Sequence, residues 1–342
     1  MSKNQQSIIV VGDLHVDART LPGGSWGDPE MCRRRNMSMF TSRTMSTIHE
    51  LVEDNNAAAV VFTGDIFDTG KPLVSDAITV QRELAGIDAD VYVVTGNHDI
   101  KGLDSASENP LVQLFSDTDN VTVISGDTLT TPVGNVDVTF LPWPDEGGSF
   151  ASLISKASKS DIIMGHANID GAAGDRDSIS TSQLKRKWPR GIFGHVHTPT
   201  DGDYVYVGAS KHNSLLPGST ETSNDNFVVV NIGGDNAVSV ERVDRSPGFM
   251  CVVAGSDDDI DVGNVDGVII EGDHDGKLSD LREAGLYVTR RPLKTASKSR
   301  KSEPLRYDGK DFDIINVVVS SLDDGTDTTI ARDELSKMVN NL

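Results

Sequence analysis

Five short blocks along the chain combine acid, amide and imidazole side chains in a way that suits metal-assisted hydrolysis. They are Gly12-Asp13-Leu14-His15, Gly64-Asp65-Ile66-Phe67-Asp68, Gly96-Asn97-His98-Asp99, Gly165-His166 and Gly194-His195-Val196-His197, and they hold five of the eight histidines. Asp13 and His15, and again His195 and His197, are spaced i, i+2. In extended backbone that spacing puts both side chains on one face, so each pair can converge on one centre. Carboxylate, imidazole and amide oxygen together make a mixed hard and borderline donor set, suited to manganese, iron or zinc rather than calcium. Seven donors (Asp13, His15, Asp65, Asn97, His166, His195 and His197) are too many for one ion and right for two that share a bridging carboxylate. Taken singly the blocks are weak, since Asp and His are common turn formers and strand-end residues. Five in succession, each behind its own apolar run, are not coincidence.

The elements that must position these residues are legible as well. Residues 7–11, 58–62, 91–94, 161–164 and 191–193 read as buried strands, each running into a Gly or Thr-Gly followed by Asp, Asn or His. Polar residues gathered at strand ends describe an active-site rim in an α/β layered domain. Met37, Phe40, Thr44, Ile48, Leu51 and Val52 recur at helical spacing and predict an amphipathic helix over 34–54, with a shorter one over 76–84. Beyond His197, residues 204–207, 227–232 and 237–243 read as strands and are expected to form a second sheet that closes a sandwich. Turn-forming residues at 244–247 then predict a boundary. After it come strands at 267–271 and 286–290 around a helix at 277–283, a strand at 314–319 and a terminal helix at 330–342. The expected division is 1–245 and 246–342.

Composition narrows the class. No apolar run approaches the roughly 18 residues a membrane span needs. The N-terminal stretch has one Lys and four apolar residues before its first Gly-Asp, unlike a secretory leader, so a cytoplasmic location is expected. Cys32 and Cys251 make neither a disulfide framework nor a zinc spacing. The net charge is −21, with 40 Asp, 12 Glu and only 14 Lys. Such a surface repels a polyanion at low ionic strength. At molar salt the screening length falls to about 3 Å, and the Asp-rich, Lys-poor usage predicts a halophilic host or its virus.

Together the blocks resemble the signature of the calcineurin-like metallophosphoesterases, D-x-H, G-D-x-x-D, G-N-H-[DE], G-H and G-H-x-H, over residues 8 to 232. The resemblance implies a four-layer α/β/β/α metallophosphoesterase sandwich. It implies that Asp13, His15, Asp65 and His197 hold one divalent ion and Asp65, Asn97, His166 and His195 a second, with Asp65 bridging. His98 would act on the scissile phosphate or the leaving oxygen, with Asp99 orienting its imidazole. Gly165-His166-Ala167-Asn168-Ile169-Asp170-Gly171-Ala172, followed about twenty residues later by Gly194-His195-Val196-His197, is similar to the SbcD-type DNA repair nucleases. So is Val205-Tyr206-Val207-Gly208 ahead of the 227–232 strand. This closer likeness implies a two-manganese DNA exonuclease and endonuclease, a small C-terminal α/β capping domain, a homodimer, and an SbcC-type coiled-coil ATPase as partner. Two positions depart from the pattern. Gly208-Ala209-Ser210 stands for the usual Gly-Ser-Pro. Asp68 stands where many members have a second catalytic histidine, which brings the chain nearer the tailed-phage branch.

Two other classes compete. A phosphomonoesterase or cyclic-nucleotide phosphodiesterase would use the same site, but such enzymes usually lack a separate domain after the second sheet. A non-catalytic scaffold would have lost ligands, and all seven are present. The remaining candidates are weaker. Arg33-Arg34-Arg35 beside Trp26 and the run at 257–259 read as solvated, and so do His49 and His274. His212 could line the substrate groove, and Trp143 reads as packing.

Overall fold

The computed structural model describes residues 6–16, 29–101, 103, 108–174, 177–209, 225–233, 238–245, 251–254, 267–271 and 287–291. All of these lie in the first of two compact units, Met1–Leu293. Among them no helix is long and apolar enough to cross a membrane.

The apolar runs ahead of the chemical blocks become parallel strands. In the first sheet β1 (Gln6–Val11), β2 (Ala57–Phe62), β3 (Asp90–Val94) and β4 (Val121–Ile124) run parallel in that order. The second sheet takes β5 (Leu129–Val133), β6 (Val136–Leu141), β7 (Ile162–His166), β8 (Gly191–Gly194) and β9 (Tyr204–Tyr206), parallel from β6 onward. The strands expected to close the sandwich after His197 do not form one sheet. β9 extends the second sheet, whereas β10 (Asp225–Ile232) returns to pair antiparallel with β1 and β11 (Val238–Arg245) pairs with β10. The physical reason is burial: Val228 and Val230 face one core while Phe227 and Val229 face another, so β10 needs cover on both sides.

That alternation builds the layers. Ile8, Val10, Ala59 and Val61 of the first sheet meet Val138, Phe140, Ile162, Met164 and Ile192 of the second in a shared core. On the outer face of the first sheet, Ile9, Val11, Val60 and Phe62 pack on α1 (Pro29–Asn55) through Met45, Ile48 and Leu51, and on α2 (Val74–Ala85) through Val80 and Leu84. α3 (Pro110–Leu114) adds Leu111 to the same core. On the outer face of the second sheet, Leu141, Ile163 and Phe193 pack on α4 (Phe150–Lys156), α5 (Thr181–Leu184) and the buried Trp188. Lys187 closes α4 by donating to the carbonyls of Ile154, Ser155 and Ala157. The result is helix, sheet, sheet, helix.

A third, wholly parallel sheet orders β12 (Cys251–Ala254), β13 (Gly267–Glu271) and β14 (Tyr287–Arg291). β13 and β14 pair parallel, close to the strand positions expected at 267–271 and 286–290. The helices expected at 277–283 and 330–342 and the strand at 314–319 lie outside the described residues. So do His212, His274 and the 257–259 run.

Candidate metal centre

Every candidate ligand sits where a strand ends. β1 runs into Asp13 and His15, β2 into Asp65, and β3 into Asn97 and His98; His166 closes β7, and His195 and His197 follow β8. The chain turns sharply at several of these points, with φ 45° at His15, 49° at Asp65 and 90° at His195. Non-glycine residues in this region cost about 1–3 kcal/mol each and persist only where their surroundings hold them. The backbone N–H groups of Leu14 and His15 both donate to the Asp65 carbonyl, at 3.1 and 2.8 Å, which locks the first two loops together. Two block glycines make room for their neighbours, and Gly64, at φ 105°, also has a backbone conformation that favours glycine. A Cβ on Gly64 would fall on the His166 imidazole, and one on Gly96 would fall on the Asp65 carboxylate.

The seven expected donors come together in two groups. In the first, His197 Nε2 lies 3.3 Å from Asp13 Oδ2 and 3.1 Å from His15 Nε2. In the second, Asn97 Oδ1 lies 2.9 Å from His166 Nε2 and 3.1 Å from His195 Nδ1. Asp65 Oδ2 stands between them, 3.7 Å from His15 Nε2 and 3.4 Å from His166 Nε2. The Asp13 carboxylate also accepts the His195 N–H, so each group is stitched to the other.

Charge balance inside this buried cluster is set by its partners. Burial would raise Asp13 and Asp65, but the surrounding histidines outweigh it and hold both below the ordinary carboxylate range. Burial would lower His166, yet the Asp65 charge and hydrogen bond lift it to about 9. The donor chemistry fits divalent cations. His15 Nδ1 faces Asp68 Oδ1 at 3.1 Å and His166 Nδ1 faces the Thr63 carbonyl at 2.8 Å, so each ring directs its Nε2 toward other acceptors. Acceptors that face acceptors in a buried pocket are reconciled by protons or by metal ions, and a metal ion displaces the protons when it binds.

His98 joins the cluster from its open side, 4.8 Å ring to ring from His15, with its N–H donating to Asp65 Oδ1 at 2.9 Å. The expected orienting role of Asp99 is corrected here. Adjacent side chains diverge, and the Asp99 carboxylate is taken up by the backbone N–H groups of Ile66, Phe67 and Gly96. The His98 ring is held by Asp68 instead, with Nδ1 3.1 Å from its carboxylate and 3.0 Å from its carbonyl. The hydrogen bond to the Asp68 side chain raises His98 to about 9, and Asp68 itself, despite partial burial, is held low by His15 and His98. The position that departs from the histidine-bearing pattern thus supports two histidines.

Trp143 packs, as the sequence reading expects, on Phe150, and its ring neighbours include His195 and His166 of the second group. It lies two residues beyond β6, a strand that the sequence reading does not contain.

Among solved structures, the chain is similar to a dimetal phosphatase from Danio rerio, at 14% identity over 66% of this chain and 92% of that one, with a TM-score of 0.41. A Thermus thermophilus protein aligns at 10% identity over 69% and 98%, with a TM-score of 0.40. A Pseudomonas putida nuclease aligns at 12% over 65% and 83%, with a TM-score of 0.30. None of these scores reaches a level that speaks of activity. No curated protein matches the chain by sequence. A family model for calcineurin-like phosphoesterases matches residues 7–199. That span covers more than half of the chain and contains all seven donors, His98 and Asp68, and the chain belongs to this family of metal-dependent phosphoesterases.

Proposed function

We propose that the chain is a manganese-dependent DNA nuclease, cleaving phosphodiester bonds as an exonuclease and endonuclease in recombination and repair. The observation that carries the hydrolytic part is the convergence of seven donors in two groups about Asp65, with the His98 imidazole beside them. DNA as the substrate rests on the likeness of the 165–172 and 194–197 blocks to SbcD-type nucleases.

Two divalent cations bound by these groups would supply Lewis acidity and a water of lowered pKa where the phosphate lands. The chain's own residues do the rest. Asp13, His15, Asp65 and His197 would hold one ion, and Asp65, Asn97, His166 and His195 the other. Asp68 engages His98 at Nδ1, which leaves Nε2 to give its proton to the departing oxygen. The cations also offset the −21 charge at the one place where a polyanion must approach.

In this reading residues 246–342 cap the nuclease domain, two copies pair, and an SbcC-type ATPase controls access to DNA ends in the host cytoplasm. Deleting 330–342 should then leave manganese-dependent cleavage intact and abolish co-purification with that ATPase. The nuclease reading is tested by offering linear duplex DNA, bis(p-nitrophenyl) phosphate and p-nitrophenyl phosphate side by side with manganese. Loss of DNA with hydrolysis of the diester supports it. Hydrolysis of the monoester with the DNA left whole overturns it.

A further inference from the structure

The Asn97, His166 and His195 group is bounded by an indole. Trp143 leaves β6 between Pro142 and Pro144, each of which fixes its own φ and restricts the residue before it. Its backbone N–H donates to the Thr95 carbonyl at 2.9 Å, two residues before Asn97. That bond ties the end of β6 in one sheet to the end of β3 in the other, at the level of the ligands. The ring centroid then lies 4.9 Å from His195 with the planes tilted by 42°, and 5.8 Å from His166 at 66°. Phe150, buried at the start of α4, meets the indole edge to face at 5.1 Å and backs it with the outer core.

His195 has particular need of such support. Its backbone is in the left-handed region at φ 90°, where a residue stays only if several contacts prevent relaxation. Its N–H is taken by both oxygens of Asp13 at 3.1 Å, and its Nδ1 faces Asn97 Oδ1 at 3.1 Å. Those contacts fix one end of the residue and one edge of its ring. The tilt of the ring plane is set with its ring neighbours, the His166 imidazole edge to face at 5.2 Å and the Trp143 indole, which touches both rings. An indole suits the task because it is flat, large and has only two side-chain torsions to fix.

We infer that Trp143 is a positioning residue of the metal centre, holding the His195 and His166 imidazoles in the orientation in which they converge with Asn97 on one cation. The inference rests on the metal-centre reading and deepens it. It assigns the two groups different supports: the indole bears on the second, while the first is held from Asp68.

Manganese titration of the full chain by calorimetry, with indole emission followed in parallel, tests it on wild type, Trp143→Ala and Trp143→Phe. Wild type should bind two equivalents. Trp143→Ala should keep one at wild-type affinity and lose roughly 10–100-fold on the other, the scale expected when a ligand's supporting group is removed. Trp143→Phe should recover most of that loss. With Trp26 replaced by Phe in every variant, bound manganese, being paramagnetic, should quench emission, and Trp143→Phe should lose most of that quench, since the remaining Trp188 is buried in the outer core. Unchanged affinities in Trp143→Ala overturn the inference. So does equal weakening of both equivalents with a lowered melting temperature, which a merely structural ring would produce. If Trp143→Ala does not fold, Trp143→Phe decides, and a full wild-type quench in that variant overturns the inference. Wild type that binds no manganese overturns the metal centre itself and this assignment with it.

Discussion

The two halves of the metal centre are braced with different materials. Behind His15 stands a side chain: Asp68 Oδ1 lies 3.1 Å from His15 Nδ1 and equally 3.1 Å from His98 Nδ1. Behind His166 stands the fold itself, in the Thr63 carbonyl at 2.8 Å, and His166 is fully buried. The His197 side chain of the first half is 38% exposed. A carboxylate on a loop can be shared, shifted or recharged, whereas a carbonyl at a strand end cannot. The first half is therefore coupled to His98 and open to whatever binds, while the second is set before anything arrives. Rigidity on one side and coupling on the other is how a site between two sheets can be both preorganised and responsive.

The change with the largest expected effect removes the difference altogether. Asp65 faces both halves, so Asp65→Asn should empty both, with manganese affinity falling by well over ~10²-fold, beyond what loss of a supporting contact costs. Elemental analysis after desalting is the check, and two retained equivalents would show that Asp65 does not bridge. His98→Ala comes next. It lies outside both donor groups, so both equivalents should remain while turnover falls by ~10²–10⁴, the usual worth of a general acid. Metal loss in that variant would make His98 a ligand and redraw the first half.

The strands that deliver the ligands were legible because parallel strands covered on both faces read as unbroken apolar runs. β1, β2, β3, β7 and β8 begin and end within about two residues of their expected bounds. β4, β5 and β6 are absent from the sequence reading. β4 and β5 are edge strands, written VTVI and LTTPV, with polar residues and a proline where one side needs no cover. In the interior β6, written VDVTFL, Asp137 and Thr139 break the apolar run. Sheet membership after His197 was hidden for another reason: which edge a strand joins depends on where an open ladder stands, not on its own residues. Within the centre, residue types and spacing announced which side chains would gather. They did not announce the braces. Asp99 is next to His98 in sequence but points elsewhere, while Asp68 arrives from a neighbouring loop thirty residues away.

Asp68→Asn sharpens the comparison. An amide keeps the one oxygen that faces both histidines but not the charge that balances theirs. Turnover should fall by roughly 10–100-fold, and affinity should weaken in the His15 half alone. A two-step manganese isotherm reads both. Equal weakening of the two steps would mean that the halves are not separately braced.

The smallest effect belongs to Asp99, which lies across the boundary. Its Oδ1 accepts from Phe67 N at 2.8 Å, and its Oδ2 accepts from Ile66 N at 3.3 Å and Gly96 N at 2.9 Å. It thereby stitches the loop that carries Asp65 and Asp68 to the loop that carries Asn97 and His98. Burial, and then the Asp65 charge, push its carboxyl up to about 7. Asp99→Asn preserves the shape and one acceptor oxygen. Placed to serve Ile66 and Gly96, that oxygen leaves an NH₂ against the Phe67 N–H. The Phe67 N–H then loses its acceptor and faces the amide NH₂, another donor, at about 1–3 kcal/mol for each group left unpaired. The melting temperature should drop by a few degrees, and both manganese affinities should fall together by less than about tenfold, because the stitch belongs to neither half. Calorimetric unfolding and the same two-step isotherm are the measurements. Weakening confined to one step would assign Asp99 to that half and move the boundary between the two.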